Sequence, residues 1–251
     1  MKIQQIRNAT LLIEYAGTRF LIDPALSKKG TYPAFPNSIR QELKNPLVNL
    51  PISIREILNV DAVIITHLHL DHFDEEAKKL LPKGIKIFVQ NTADYDSLQA
   101  DGFTNLEILT CATLYCGIHL SKTPGQHGSG SLAIQMGHVC GVVFQHPSEK
   151  TLYLAGDTIW YARINEVIQT YHPAIIVTNN GDNRLNDTPL VMGASDLLHL
   201  HQAIPHALLI ASHMEAYNHW TLSREELRNF TIQNGFSSQV IIPANGETIT
   251  L

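Results

Sequence analysis

Short β-prone runs of apolar residues, separated by polar turns, fill the first twenty-odd residues, so the chain opens as a β meander. Lys2–Arg7, Thr10–Tyr15 and Thr18–Asp23 are the predicted strands; Ala16-Gly17 joins the last two and Pro24 stops the third. From Ala25 to Asn49 the pattern dissolves among Gly30, Pro33, Pro36 and Pro46, with Tyr32 and Phe35 as isolated apolar points. A loop this long serves either as a rim over a site or as a surface excursion. Ser53–Leu58 predicts a short helix. Asp61-Ala62-Val63-Ile64-Ile65 is then an apolar run of buried-strand character.

Strand and helix alternate from there. Asp74–Leu81 reads as a helix with acidic residues first and lysines later, which suits the helix dipole. Ile85–Gln90 is a strand, Ala93–Ala100 a helix and Asn105–Leu109 another strand, a βαβ rhythm. Next come short runs split by turn signals: Thr113–Cys116, Ile118–Thr123, Leu132–Met136, Cys140–Gln145 and Leu152–Ala155, all predicted strands. The last third returns to helix and strand. It predicts a helix from Trp160 to Tyr171, a strand Ala174–Thr178, a helix Ala194–Gln202 and a strand Ala207–Ala211. Ser223-Arg224-Glu225-Glu226 is a capping box for a final helix ending near Asn234-Gly235. Gln239–Ile242 and Glu247–Thr250 close the chain as strands. No repeat of solenoid length and no interdomain linker interrupts it, so residues 1–251 are expected to form one domain.

Composition changes this picture little. Hydrophobic residues make up 44% and charged residues 16% of the 251, as in globular proteins. A net charge of -5 without any Lys/Arg block excludes the electrostatic footprint of a nucleic-acid binder. No apolar run is long enough for a bilayer, and the N-terminus lacks a signal-peptide core. Cys111, Cys116 and Cys140 form no CxxC pair and lie away from the motifs below. Free thiols in a reducing cytoplasm are the simplest reading. The expected partner is a small-molecule substrate, with a homo-oligomer left open. Histidine is the unusual residue, with 13 against a combined 18 for Lys and Arg.

Those histidines carry the chemistry. Thr66-His67-Leu68-His69-Leu70-Asp71-His72 begins where the Asp61–Ile65 strand ends. In extended chain His67 and His69 point the same way and can share one cation. Asp71 and His72 follow the turn and can face a second cation nearby. Grouping four such side chains is unfavourable unless something cationic compensates. His127 lies between glycines in Pro124–Gly130, Asp157 follows Leu152–Ala155, and His213 follows Ala207–Ala211: each stands at or just past a predicted strand end. Asp157 has a plain alternative as helix N-cap. Asp23, also at a strand end, either caps its turn or supports a ligand histidine. His199 and His201, two apart on one helix, face different ways and are poor joint ligands.

The order and context of Thr66-His67-x-His69-x-Asp71-His72, His127, Gly156-Asp157 and His213 resemble the metallo-β-lactamase superfamily across nearly the whole chain. Ile22-Asp23-Pro24 and Ser212-His213 are similar to a cytoplasmic branch that includes L-ascorbate 6-phosphate lactonase-like proteins. The resemblance implies an α/β fold: an αββα sandwich of two mixed sheets with helices on the outer faces and a dinuclear site at one edge. It implies that His67, His69 and His127 hold one metal, that Asp71, His72 and His213 hold a second, and that Asp157 bridges both. Asp71 and Asp157 are thereby also candidate catalytic carboxylates. Two divalent transition-metal ions are implied, zinc first, with manganese or iron admissible because no thiolate selects zinc. A hydroxide held between them would attack a lactone, ester, amide or phosphoester. His213 is preferred to His219 as ligand because a strand end is the more rigid mount. His219 is then the candidate substrate contact or proton donor. The competing classes are an iron-dependent redox enzyme on the same fold and a metal-stabilised binding protein without turnover.

Overall fold

The structure is a computed structural model that describes residues 1–251. Its first half contains β1 (Lys2–Arg7), β2 (Thr10–Tyr15), β3 (Thr18–Ile22), α1 (Ile54–Ile57), β4 (Ala62–Ile65), α2 (Glu75–Leu80), β5 (Lys86–Val89), α3 (Thr92–Ala100) and β6 (Leu106–Ile108). Then follow β7 (Thr113–Tyr115), β8 (Ile118–Pro124), α4 (Gly130–Met136), β9 (Cys140–Gln145), β10 (Leu152–Leu154), α5 (Ala162–Tyr171) and β11 (Ile175–Asn179). The chain ends with β12 (Arg184–Leu185), β13 (Thr188–Pro189), α6 (Ala194–Ala203), β14 (Leu208–Ser212), α7 (Arg224–Gln233), β15 (Val240–Ile241) and β16 (Thr248–Thr250).

Two mixed seven-stranded sheets result, ordered β16-β1-β2-β3-β4-β5-β6 and β15-β14-β11-β10-β9-β8-β7. In each, antiparallel strands give way to parallel ones, at β3–β4 in the first and β10–β11 in the second. The β2–β3 hairpin turns at Ala16 (φ 48°) and Gly17 (φ 78°), the two left-handed residues a tight hairpin requires. Three apolar layers separate four layers of secondary structure. Ile13, Phe20, Ile64, Phe144, Leu154 and Val177 pack sheet against sheet. Leu21, Val63, Ala77, Ile87 and Leu98 seat α1–α3 on the first sheet; Ile176, Leu197, Leu209 and Leu227 seat α5–α7 on the second. The αββα architecture follows from burying both faces of both sheets. No helix is long and apolar enough to cross a membrane.

Helix starts follow local chemistry. Ser53 and Glu56, and Ser223 and Glu226, form reciprocal capping boxes at α1 and α7. Asp74 caps α2 through Ala77 N and with its other oxygen accepts Ser27 N at 2.7 Å, tying the rim loop to the helix. Arg7, fully buried, donates to Ala25 O (2.6 Å), Ser27 O (2.9 Å) and Val48 O (3.0 Å), so one guanidinium staples both ends of that loop.

Two expectations need correction. Leu132–Met136 is not a strand but part of α4. β8 pairs directly with β9 down to Pro124 opposite Cys140, which leaves no strand position between them. The alternation Leu132, Ile134, Met136 misled because it marks no buried face: Ile134 is 84% exposed. The second concerns the helix-cap alternative for Asp157: α5 begins at Ala162, close to the expected start, with Tyr161 at its N-cap. Asp157 is therefore no helix cap.

Candidate metal centre

The C-terminal ends of β3, β4, β10, β11 and β14, the end of β8 and the β1–β2 turn meet at one edge of the sandwich. There the structure brings together every residue singled out as a candidate ligand. Three triads have ligand atoms within 4.8 Å of one another: His67–His69–His127, His67–His72–Asp157 and Asp71–His72–His213. The first and third coincide with the two sets the family resemblance implies, and Asp157 lies between them. Its Oδ2 is 3.2 Å from His72 Nε2 and 3.6 Å from His127 Nε2, while Oδ1 is 3.7 Å from His213 Nε2.

Two of the imidazoles are aimed by their other ring nitrogen. His72 Nδ1 is 2.8 Å from Asp23 Oδ2, and His127 Nδ1 donates to the Leu190 carbonyl at 3.0 Å. Both bonds engage Nδ1 and turn Nε2 toward the site. Asp23 thus supports a histidine; its carboxylate also accepts Thr66 N and Thr66 Oγ1, each at 2.7 Å, and locks the start of the motif. Its backbone is left-handed (φ 44°), as is that of His213 (φ 64°), so both side chains leave their strands at turns any other conformation would redirect.

Electrostatics at the centre favour positive charge. Asp71 and Asp157 are buried, which opposes ionisation, yet neighbouring histidines, His72 foremost, hold both carboxyls well below the usual range. Burial opposes charge on His72 too, but Asp157, Asp23 and Asp71 outweigh it and raise that imidazole well above 6.5. His67 goes the other way: burial, then His72 and His69, push it well below 6.5. Its Nε2 is buried with no hydrogen-bond partner. An orphaned imidazole nitrogen among imidazole and carboxylate donors fits a bound transition-metal ion, and the residues present suit the group.

His219 is also buried here but outside the triads. Its Nε2 is 2.9 Å from Asn183 Nδ2 and 3.9 Å from Asp71 Oδ2, and burial pushes its pKa down to about 4. His199 and His201 do face apart: His201 stacks on Phe236, and His199 lies beside Trp160. Cys140 corrects another expectation. Its thiol, buried and pushed up in pKa, lies 3.6 Å from the Thr66 carbonyl, directly behind the motif.

Three asparagines that complete the centre carry little signal in the sequence. Asn8, left-handed at φ 53° in the β1–β2 turn, puts Nδ2 2.9 Å from His213 Nε2 and 3.1 Å from Asp71 Oδ2. Asn179 donates to Asp157 Oδ1 at 2.6 Å, and Asn183 meets His219. The only available signals were a turn position and a strand end. Above the cluster opens a cavity of about 200 Å³, walled by Phe35, Pro36, Leu70, Met136, Leu185 and Leu190, with His69, Asp71, His127, Asp157 and His219 at its floor. The 25–49 loop is therefore a rim over the site.

Comparison with known proteins decides the family. The model of the beta-lactamase superfamily domain matches residues 18–214. The chain belongs to the metallo-β-lactamase superfamily. Within it, the chain is 58% identical to the UPF0173 protein YddR of Bacillus subtilis, over all of both chains. The isothiocyanate hydrolase from Delia radicum gut bacteria is 42% identical, with a TM-score of 0.97 over 100% of this chain and 99% of that one. A possible metal-dependent hydrolase from Veillonella parvula is 38% identical, with the same TM-score of 0.97 and the same coverage, 100% and 99%. This superfamily member is a metal-dependent hydrolase whose His/Asp cluster is able to bind metal.

Proposed function

We propose that the enzyme hydrolyses a small, uncharged electrophile bearing an apolar group, with two transition-metal ions at the sheet edge, zinc first. His67, His69 and His127 would hold one ion and Asp71, His72 and His213 the other, with Asp157 shared. One observation carries this reading: a buried set of nitrogen and carboxylate donors forms the floor of a cavity whose walls are apolar and hold no Lys or Arg. An anionic phosphoester would find no cationic side chain there, so of the bond types the sequence admits, the uncharged ones are preferred. When bound, two such ions supply a water activated at neutral pH and polarise the bond under attack.

The chain's own residues do the rest. Leu190 O and Asp23 hold His127 and His72 in register, and Asn179 fixes the Asp157 carboxylate. Phe35 and Leu190 wall the cavity above the floor. His219, with its pKa near 4, is neutral at pH 7 and keeps one ring N–H. With Asn183 Nδ2 on Nε2 that N–H is on Nδ1, a buried atom without a partner, which supports His219 as a neutral polar contact for substrate in place of an imidazolium acid.

The name of the Delia radicum relative makes isothiocyanates the first compounds to test. They are small and electrophilic at carbon; one water added across the N=C bond gives a thiocarbamic acid, which splits into an amine and carbonyl sulfide. The test is amine release by metal-loaded enzyme from aryl and alkyl isothiocyanates, beside lactones, thioesters and phosphodiesters. Turnover confined to uncharged substrates supports the proposal; a preference for the phosphodiester contradicts it.

A further inference from the structure

The rim loop brings one aromatic ring to the cavity and fixes it with unusual care. Asn218 Oδ1 accepts Phe35 N and Asn45 Nδ2, each at 2.8 Å, and Asn218 N donates back to Asn45 Oδ1 at 2.8 Å. Asn218 Nδ2 donates to Ser38 Oγ at 2.8 Å and Ile39 O at 2.7 Å. Asn45 and Asn218 are both fully buried. A buried carboxamide pair with every donor and acceptor used is rigid, because breaking any one bond leaves a polar group unpaired. Arg40 closes the same clamp outside, donating to Trp220 O at 2.6 Å with its guanidinium 3.6 Å above the Trp220 ring.

The clamp holds the Phe35 ring stacked on Tyr217 (5.7 Å between centroids, 14° between planes) and edge-on to His219 (4.8 Å, 86°). The ring cannot swing toward the floor without meeting His219, nor sideways without losing Tyr217. The cavity it bounds measures about 200 Å³. A reactive head with one aryl ring or a short alkyl chain can lie beside this fixed wall, whereas a wider apolar group seated on the floor has to press against the Phe35 ring.

We propose that Phe35, held by the Asn45–Asn218 pair, sets the upper size limit of the apolar group this site admits. Phe35 is then a specificity-determining residue and Asn218 a positioning residue acting through it. The inference rests on the metal-centre reading above, and its test separates the two. Hydroxamates bind metal through their head without needing turnover, so zinc-loaded protein is titrated calorimetrically with acetohydroxamate, benzohydroxamate and 2-naphthohydroxamate. Wild type is expected to bind the benzo compound at least about tenfold more tightly than the naphtho compound. Phe35→Ala should abolish or invert that ratio, and Phe35→Leu should give an intermediate value, with zinc content unchanged in both. Asn218→Ala leaves the ring but frees it, and should narrow the ratio; a merely structural role would weaken all three ligands alike. The proposal is overturned if the ratio is the same in wild type and Phe35→Ala, or if wild type prefers the naphtho compound. If acetohydroxamate does not bind wild type loaded with zinc, the metal-centre reading itself fails and the size limit falls with it.

Discussion

Asp23 is not expected to touch metal, yet replacing it should weaken metal binding. Its carboxylate accepts three buried bonds: Thr66 N on Oδ1, and Thr66 Oγ1 with His72 Nδ1 on Oδ2. Asparagine has the same shape but one oxygen. Placed best, that oxygen keeps Thr66 Oγ1 and His72, and the new NH2 group then faces Thr66 N–H, donor against donor. One orphaned buried donor costs about 1–3 kcal/mol of stability. His72 also loses an anionic partner for Nδ1–H, which lowers the donor strength of Nε2; such outer partners are typically worth about 10–100-fold in metal affinity. Asp23→Asn should therefore melt earlier in chelator and bind Zn²⁺ about 10–100-fold more weakly in a competition titration against a chromophoric chelator. A variant that loses stability but keeps wild-type zinc affinity would refute the reasoning, leaving Asp23 a turn residue only.

Four further outcomes are expected. Asp157→Ala should lower both metal content and hydrolysis, read by elemental analysis and turnover; intact metal content would remove Asp157 from the centre. His213→Ala should empty one metal position, whereas His219→Ala should keep both and lower kcat about 10²–10³-fold, the usual worth of one positioned donor; the reverse pattern would exchange the two roles. The depressed His219 pKa means the unfolded chain binds a proton that the folded chain refuses between 6.5 and about 4. Stability of chelated protein should thus fall as pH drops through that window, by up to about 3 kcal/mol from this residue, and His219→Gln should flatten the fall in denaturant titrations. In Gly141→Ala the added carbon would lie 2.6 Å from Leu154 O and Thr123 Oγ1, so a loss of about 1–3 kcal/mol or more should appear in thermal melts.

What could be read in advance follows from what fixes each element. His67, His69, Asp71 and His72 are legible because an apolar strand ends beside them and the spacing alone groups them. His127, Asp157 and His213 are legible only as a recurrence of strand ends, since their meeting depends on how the two sheets pack. Asn8, Asn179 and Asn183 are illegible for the same reason: an asparagine in a turn usually serves the turn, and only the tertiary fold brings Asn8 to Asp71 and His213. The α4 helix is illegible because its alternation of apolar residues imitates a strand without forming a buried face. Cys140 was set aside because distance along the chain concealed that β9 runs behind the motif. The role of the 25–49 loop lies in contacts far away in sequence, Phe35 with Asn218, 183 residues on, among them.

Anomalous diffraction from zinc-loaded crystals tests the dinuclear centre most directly. The account predicts two peaks at the sheet edge, one within bonding distance of His67, His69 and His127, the other of Asp71, His72 and His213, with Asp157 reaching both. No peak at that edge, or peaks bound by other residues, would contradict it.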